Sequence, residues 1–98
     1  MSLPVILAPE TRAEFDDAYD WYEQQRPGLG EVFADRVQQV LDRIATNPRL
    51  HQAVLRDVRK AVVARFPYCV YYREEPSCVR VLAIFHTRRD PRIWQSRA

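Results

Sequence analysis

The segment VRKAVVARFPYCVYYREEPSCVRVLAIFH, Val58 to His86, carries the pattern that sets the fold. Val58 to Phe66 reads as a strand in which Val58, Val62, Ala64 and Phe66 alternate with Arg59, Ala61, Val63 and Arg65. Pro67 has no backbone N–H to give a ladder and marks a tight turn. Tyr68 to Arg73 is a second strand, rich in aromatic residues and valine. Glu74-Glu75-Pro76-Ser77 has turn composition. Val79 to Phe85 is a third strand, and its middle, Val81-Leu82-Ala83-Ile84, is apolar on both faces, as in a central strand. Three strands joined by tight turns predict an antiparallel meander.

Upstream the period changes from two to about 3.6. Phe33, Val37, Val40, Leu41 and Ile44 share one helical face, in a helix that starts near Leu29 and stops at Asn47-Pro48, because a residue before proline avoids the helical region. Phe15, Ala18, Tyr19 and Tyr22 mark an earlier helix. Pro9 suits its first turn, Thr11 with Glu14 predicts a capping box, and Glu10, Glu14, Asp16 and Asp17 complement its dipole. Arg26-Pro27-Gly28 ends it, and so short a link predicts an antiparallel helical hairpin. Trp21 and Tyr22 are expected in or at the edge of the core, the alternative for Trp21 being an exposed place in a partner groove. Val5-Ile6-Leu7, after Pro4, reads as a first strand. The expectation is an α+β fold, with an N-terminal strand and a helical hairpin packed on a C-terminal antiparallel sheet. The helices cover one sheet face, and the other stays partly open and lined by arginines.

Downstream, His86 to Ala98 holds Arg88, Arg89, Arg92, Arg97 and Trp94. An indole buries a large apolar area, so Trp94 predicts a tail docked on the domain, with Asp90-Pro91 as its turn. Docking would leave Arg88, Arg89 and Arg92 outward as one cationic edge. The alternative pairs Arg88 or Arg89 with Asp90.

Ninety-eight residues, 47% hydrophobic and 29% charged, fit one globular domain spanning 1–98. No apolar run approaches the roughly 20 residues of a membrane span. Met1-Ser2-Leu3-Pro4 lacks the basic flank and apolar core of a signal peptide, so a cytoplasmic location is expected. Cys69 and Cys78 are expected as free thiols there, although a hairpin could bring them together. Two cysteines are too few for a four-ligand zinc site, and neither metal nor cofactor is expected. The net charge of +2 conceals an asymmetry: residues 1–48 carry four basic and nine acidic groups, residues 49–98 eleven basic and four acidic. Fourteen of the fifteen basic residues are arginine, which suits phosphate and carboxylate recognition. A basic half of this kind points to a nucleic acid or acidic peptide, or serves only solubility.

Arg65-Phe66-Pro67-Tyr68, Tyr71-Tyr72-Arg73, Val81 through His86, and Arg88-Arg89-Asp90-Pro91 with Trp94 three residues on follow one another in an order that resembles the ParE/RelE toxin superfamily, the plasmid stabilisation family. The resemblance implies a toxin of a type II toxin–antitoxin system, neutralised by a cognate antitoxin and oligomeric through it. Its target would be DNA gyrase, or messenger RNA on the ribosome. A third possibility is a non-toxic nucleic-acid-binding module on the same fold. The antitoxin is expected to lay a segment, disordered when free, over the basic face and open sheet.

Cleavage of RNA needs an acid, a base and positive charge at the phosphate. For that chemistry the candidate catalytic set is His86, Arg65 and Arg73. Arg88, Arg89, Arg92, Tyr68 and Tyr71 are candidate target-binding residues, the tyrosines as stacking platforms. The plainer alternatives are a strand-end His86 bonded to a neighbouring segment, and Arg65 and Arg73 paired with Glu74 or Glu75. RNA-cleaving relatives use clustered lysines or a tyrosine near the C-terminus. This chain has only Lys60 and no tyrosine after Tyr72, which favours the gyrase-directed branch.

Overall fold

The computed structural model describes residues 2–98, so Met1 of the leading segment lies outside it. The elements are β1 (Val5–Leu7), α1 (Pro9–Gln25), α2 (Leu29–Thr46), β2 (Ala53–Leu55), β3 (Val58–Val62), β4 (Tyr68–Glu74), β5 (Val79–His86) and α3 (Arg92–Gln95). They form one five-stranded sheet in the order β1-β5-β4-β3-β2. β1 joins β5 in parallel and the other neighbours are antiparallel. The expected α+β architecture holds, with a helical hairpin on a mainly antiparallel sheet.

The hairpin is set by two glycines. Gly28 starts α2 in the left-handed region, φ 88°, which a side chain would strain. At Gly30 a Cβ would lie 2.8 Å from the Tyr19 carbonyl oxygen of α1, so only glycine lets the helices approach this closely. The Gly30 N–H donates to Glu23 Oε1 at 2.9 Å. α2 buries Phe33, Val37, Val40 and Ile44, the face its spacing predicts. With Ala18 and Tyr22 of α1 they close over Ala61, Val70, Tyr72, Val79, Val81 and Ile84 of the sheet.

Four expectations need correction. Thr11 and Glu14 form no capping box: α1 begins at Pro9 without a side-chain cap. Thr11 is instead fully buried and donates to the Val81 carbonyl at 3.2 Å. β3 stops at Val62 rather than Phe66, because Arg65 takes a left-handed backbone, φ 69°, and turns the chain. Phe66 then packs back on Tyr22 and Phe33 at ring distances of 4.9 and 5.2 Å. The meander also gains a strand, β2, on its outer edge.

The fourth correction concerns the second sheet face, which is not lined by arginines, although it stays partly open at β3, where Val62 is 66% exposed. Val58, Cys69, Tyr71, Leu82, Ala83 and Phe85 form a second apolar cluster there, closed by Trp94 from the tail. β5 serves both clusters through a bulge. Tyr71 pairs with Ala83 and Tyr72 with Val81, leaving Leu82 without a partner in β4. An extra residue of this kind resets the two-residue alternation, so Val81 and Ile84, three apart, both face the helices.

Candidate functional site

The end of the sheet where β4 begins and β5 finishes gathers four of the eight candidates, Tyr68, His86, Arg65 and Arg88. Tyr68 pairs with His86 across the ladder, and their rings meet edge to face at 5.2 Å. The Thr87 N–H donates to the Pro67 carbonyl at 2.9 Å, holding the tail's first residue against the β3–β4 turn. Arg65 at the tip of that turn and Arg88 just past the strand end are both exposed, with no acidic partner among the described residues.

His86 itself has a turn-forming job. Its Nδ1 accepts the Arg88 backbone N–H at 3.0 Å, and its carbonyl accepts the Arg89 N–H at 3.1 Å. An accepting Nδ1 places the ring proton of the neutral imidazole on Nε2. Beside His86 opens a cleft of about 470 Å³ between α1 and the tail, with Asp17, Trp21, Tyr68 and Arg89 among its walls. Trp21 is 55% exposed there, so it is not a core residue, whereas Tyr22 is buried. Burial pushes the Tyr68 phenol above its ordinary value.

The other candidates are committed elsewhere. Arg73 stands opposite Arg80 at the far end of β4, five residues from Tyr68, roughly 16 Å away at the rise of a strand. It pairs with Asp57 at 3.1 Å, not with Glu74 or Glu75. Those acids take Arg49 and Arg80, each at 2.9 Å. The set His86, Arg65 and Arg73 is therefore not assembled. Tyr71 is buried under Trp94, the rings stacked at 3.9 Å and 14°, so it offers no free face to a base. Arg92 forms a forked pair with Asp90, closest at 2.8 Å, and these hydrogen bonds hold the Asp90 carboxyl below its ordinary value. Arg89 lies over the Phe85 ring at 4.6 Å and pairs with Glu14 at 2.5 Å. Arg88, Arg89 and Arg92 are thus all exposed, but among the described residues only Arg88 has no acidic partner.

Glu14, expected only as a helix-cap and dipole partner, has a role that sequence reasoning missed. Its Oε1 accepts from Arg97 Nη1 at 3.0 Å and from the Ile84 backbone N–H at 3.3 Å. Its Oε2 accepts from Arg97 Nη2 at 3.0 Å as well as from Arg89. Arg97 Nη1 also donates to the Leu82 carbonyl at the bulge, at 3.0 Å. No local pattern marks this cluster, since Glu14 and Arg97 are 83 residues apart.

A second cleft, about 380 Å³, lies between β1, α1 and α2. Val5, Leu7, Phe15, Val37 and Leu41 give it apolar walls, and Arg12, Gln38 and Asp42 a polar rim. Among the described residues no helix is long and apolar enough to cross a membrane, and no group of three His, Cys, Asp or Glu is placed to hold a metal. Cys69 and Cys78 are free and buried. They sit toward opposite ends of the β4–β5 hairpin, Cys69 opposite Phe85 and Cys78 next to the Glu74–Val79 pair, too far apart for a disulfide.

Residues 5–91 match the family model for the ParE toxin of the type II toxin–antitoxin system parDE. The chain belongs to the ParE toxin family. A solved chain of the chromosomal ParDE TA system from P. aeruginosa has the same fold, with a TM-score of 0.75 and 15% identity, over 87% of this chain and 96% of that one. No curated protein matches the sequence. The protein is accordingly a type II toxin, and a cognate antitoxin is its partner. Of the two branches implied by the resemblance, the family match falls on the ParE side.

Proposed function

We propose that this ParE-family toxin arrests growth by binding DNA gyrase through the sheet end that carries Arg65, His86 and Arg88, with no acid–base chemistry of its own. The observation that carries this reading is the state of His86. Its Nδ1 is engaged by the Arg88 N–H, and Arg73, the arginine that would share a phosphate with it, stands at the other end of β4. A general acid or base must reach the reacting group together with the charge that stabilises it. A binding inhibitor needs only an exposed, fixed surface, and the exposed Arg65 and Arg88 beside the Trp21 cleft supply one.

Neutralisation uses another face. The apolar cleft between β1, α1 and α2 fits an amphipathic antitoxin helix, with Arg12 and Asp42 at its rim to fix orientation. This reading differs from that of an antitoxin spread over an open basic sheet, and it is supported by the apolar cluster that Trp94 closes on much of that sheet face.

Purified toxin should inhibit gyrase supercoiling in vitro, be relieved by the product of the adjacent antitoxin gene, and leave messenger RNA intact in a translation extract. Cleaved messages with unaffected gyrase would establish the ribonuclease alternative. Expression without growth arrest would establish the non-toxic binding module.

A further inference from the structure

We propose that Glu14 is the positioning residue of the toxin's target-binding end: from the first helix, its carboxylate locks the C-terminal tail to β5 and thereby sets Arg88 against Arg65. The inference rests on the reading above, that this end meets the target.

The lock is made where β5 runs out of neighbours. β1 pairs with Val79 to Val81 only, and the Ala8 N–H and the Thr11 hydroxyl close the ladder at the Val81 carbonyl. Beyond it, the outer edge of β5 would present unpaired backbone groups, which cost free energy when buried and recruit foreign strands when exposed. Two side chains take the place of a strand. Glu14 accepts the Ile84 N–H, and Arg97 donates to the Leu82 carbonyl freed by the bulge. The same two side chains are joined to each other by a two-point fork, both contacts at 3.0 Å. Glu14 is 11% exposed and Arg97 16%, so the pair is shielded from solvent in a way that the 85%-exposed Arg92 is not.

Glu14 also fixes the tail's other end. It holds Arg89 at 2.5 Å, with the guanidinium laid over Phe85. Between Arg89 and Arg97 the chain makes one short helical turn, pinned on the opposite side of β5 by Trp94 on Tyr71. One carboxylate therefore ties down both ends of a nine-residue arch. Arg88 is the next residue out, and its direction is inherited from that arch. Arg89 and Arg97, as the Glu14 pair, are structural cations rather than target contacts.

The test uses full-length Glu14→Gln and Arg97→Ala, each carried through four measurements: secondary structure by circular dichroism, antitoxin affinity, amide hydrogen exchange, and growth arrest alongside gyrase inhibition. Antitoxin affinity reports on a cleft that contains neither residue, and it should stay within about two-fold if the domain is folded. Exchange at the Ile84 amide and over residues 92–98 should rise at least ten-fold, and toxic potency should fall at least ten-fold. Arg97→Lys should recover part of both, because an ammonium keeps the charge but loses the fork. If the tail loosens and potency is unchanged, tail position does not matter and the proposal is overturned. Potency lost with tail exchange unchanged also overturns it, since Glu14 would then act by direct contact. Loss of antitoxin binding together with circular dichroism signal assigns Glu14 to overall folding and overturns it as well. Should the wild-type toxin fail to inhibit gyrase, only the choice of target falls. Growth arrest and exchange still decide the role of Glu14.

Discussion

Replacing Trp94 with alanine should cost about 2–4 kcal/mol of folding free energy, and replacing it with phenylalanine less than about 1 kcal/mol, and the contrast follows from how the indole is buried. Trp94 is 4% exposed and lies flat on Tyr71 at 3.9 Å. A tryptophan buries roughly 150–250 Å², worth about 4–6 kcal/mol at 25 cal/mol per Å². Compactness of the unfolded chain lowers this by roughly 10–40%. The indole N–H works against burial. Trp94 Nε1 is buried with no well-formed hydrogen bond among the described residues, only a weak contact with the Tyr71 phenol, and so poorly satisfied a donor costs about 1–3 kcal/mol. Alanine forfeits the area and the stack while removing that donor, which leaves the net figure above. Phenylalanine keeps a ring on Tyr71 and also removes the donor, so its smaller area is largely offset. Urea unfolding followed by far-ultraviolet circular dichroism measures both variants without relying on the tryptophan that is removed. For a chain of this size each kcal/mol shifts the melting temperature by roughly 4–8 °C. A Trp94→Ala loss below about 0.5 kcal/mol would show that the tail is not docked. Equal losses for the two variants would refute the account of the poorly satisfied donor.

His86→Ala should weaken growth arrest by about ten-fold at most, through a looser Arg88, rather than abolish it, and should lower stability by about 1 kcal/mol, the usual net worth of one turn hydrogen bond; complete loss of toxicity in a variant that folds and binds antitoxin would refute the non-catalytic reading. Leu41→Asp puts a carboxylate into the wall of the cleft between the helices and β1, and it should weaken antitoxin binding by at least 100-fold, as titration calorimetry would show, with toxicity retained. Cys69 and Cys78 are buried and their thiols are pushed up by burial; both should resist a thiol reagent in the native protein at pH 8 and react fully in denaturant. Burial also pushes His51 below its ordinary value, helped by the charge of Arg43. The unfolded chain then binds a proton that the folded one resists, so stability should fall as pH drops from about 6.5 through the folded value, and His51→Gln should flatten that slope in urea midpoints measured across pH.

Elements with a long, repeated pattern were legible from sequence and short or interrupted ones were not. α2 was readable because Phe33, Val37, Val40 and Ile44 recur at helical spacing and all four are buried. β4 and β5 were readable from composition, with ends within one residue of those observed. β2 escaped because three largely exposed residues show no alternation. The end of β3 was misplaced because residues 63–66 keep alternating apolar character after the backbone has turned at Arg65. Size alone favours Trp21 in or at the edge of the core over an exposed place, although helical spacing puts it one position off the face that Ala18 and Tyr22 bury. The bulge at Leu82 is invisible in sequence because it exists only relative to β4. The clamp that Glu14 makes was invisible for the same kind of reason, its partners being 70, 75 and 83 residues away.

The same logic revises what the basic half of the chain means. Eleven positive groups lie after residue 48, but Arg49, Arg73, Arg80, Arg89, Arg92 and Arg97 all have acidic partners. Arg59 is spent on the His51 carbonyl at 2.6 Å. These pairs are not equivalent. Arg92 with Asp90 is highly exposed, and such pairs are worth little, so a target carboxylate or phosphate can take Asp90's place. Glu14 with Arg97 is shielded, and separating a shielded pair strands a charge at a much larger cost. The tail therefore presents a graded surface rather than a uniform cationic edge: Arg88 free, Arg92 exchangeable, Arg89 and Arg97 fixed. Sequence alone gives these four arginines equal standing, and the carboxylates around them are what divide the ones left free for a partner from the ones that hold the shape.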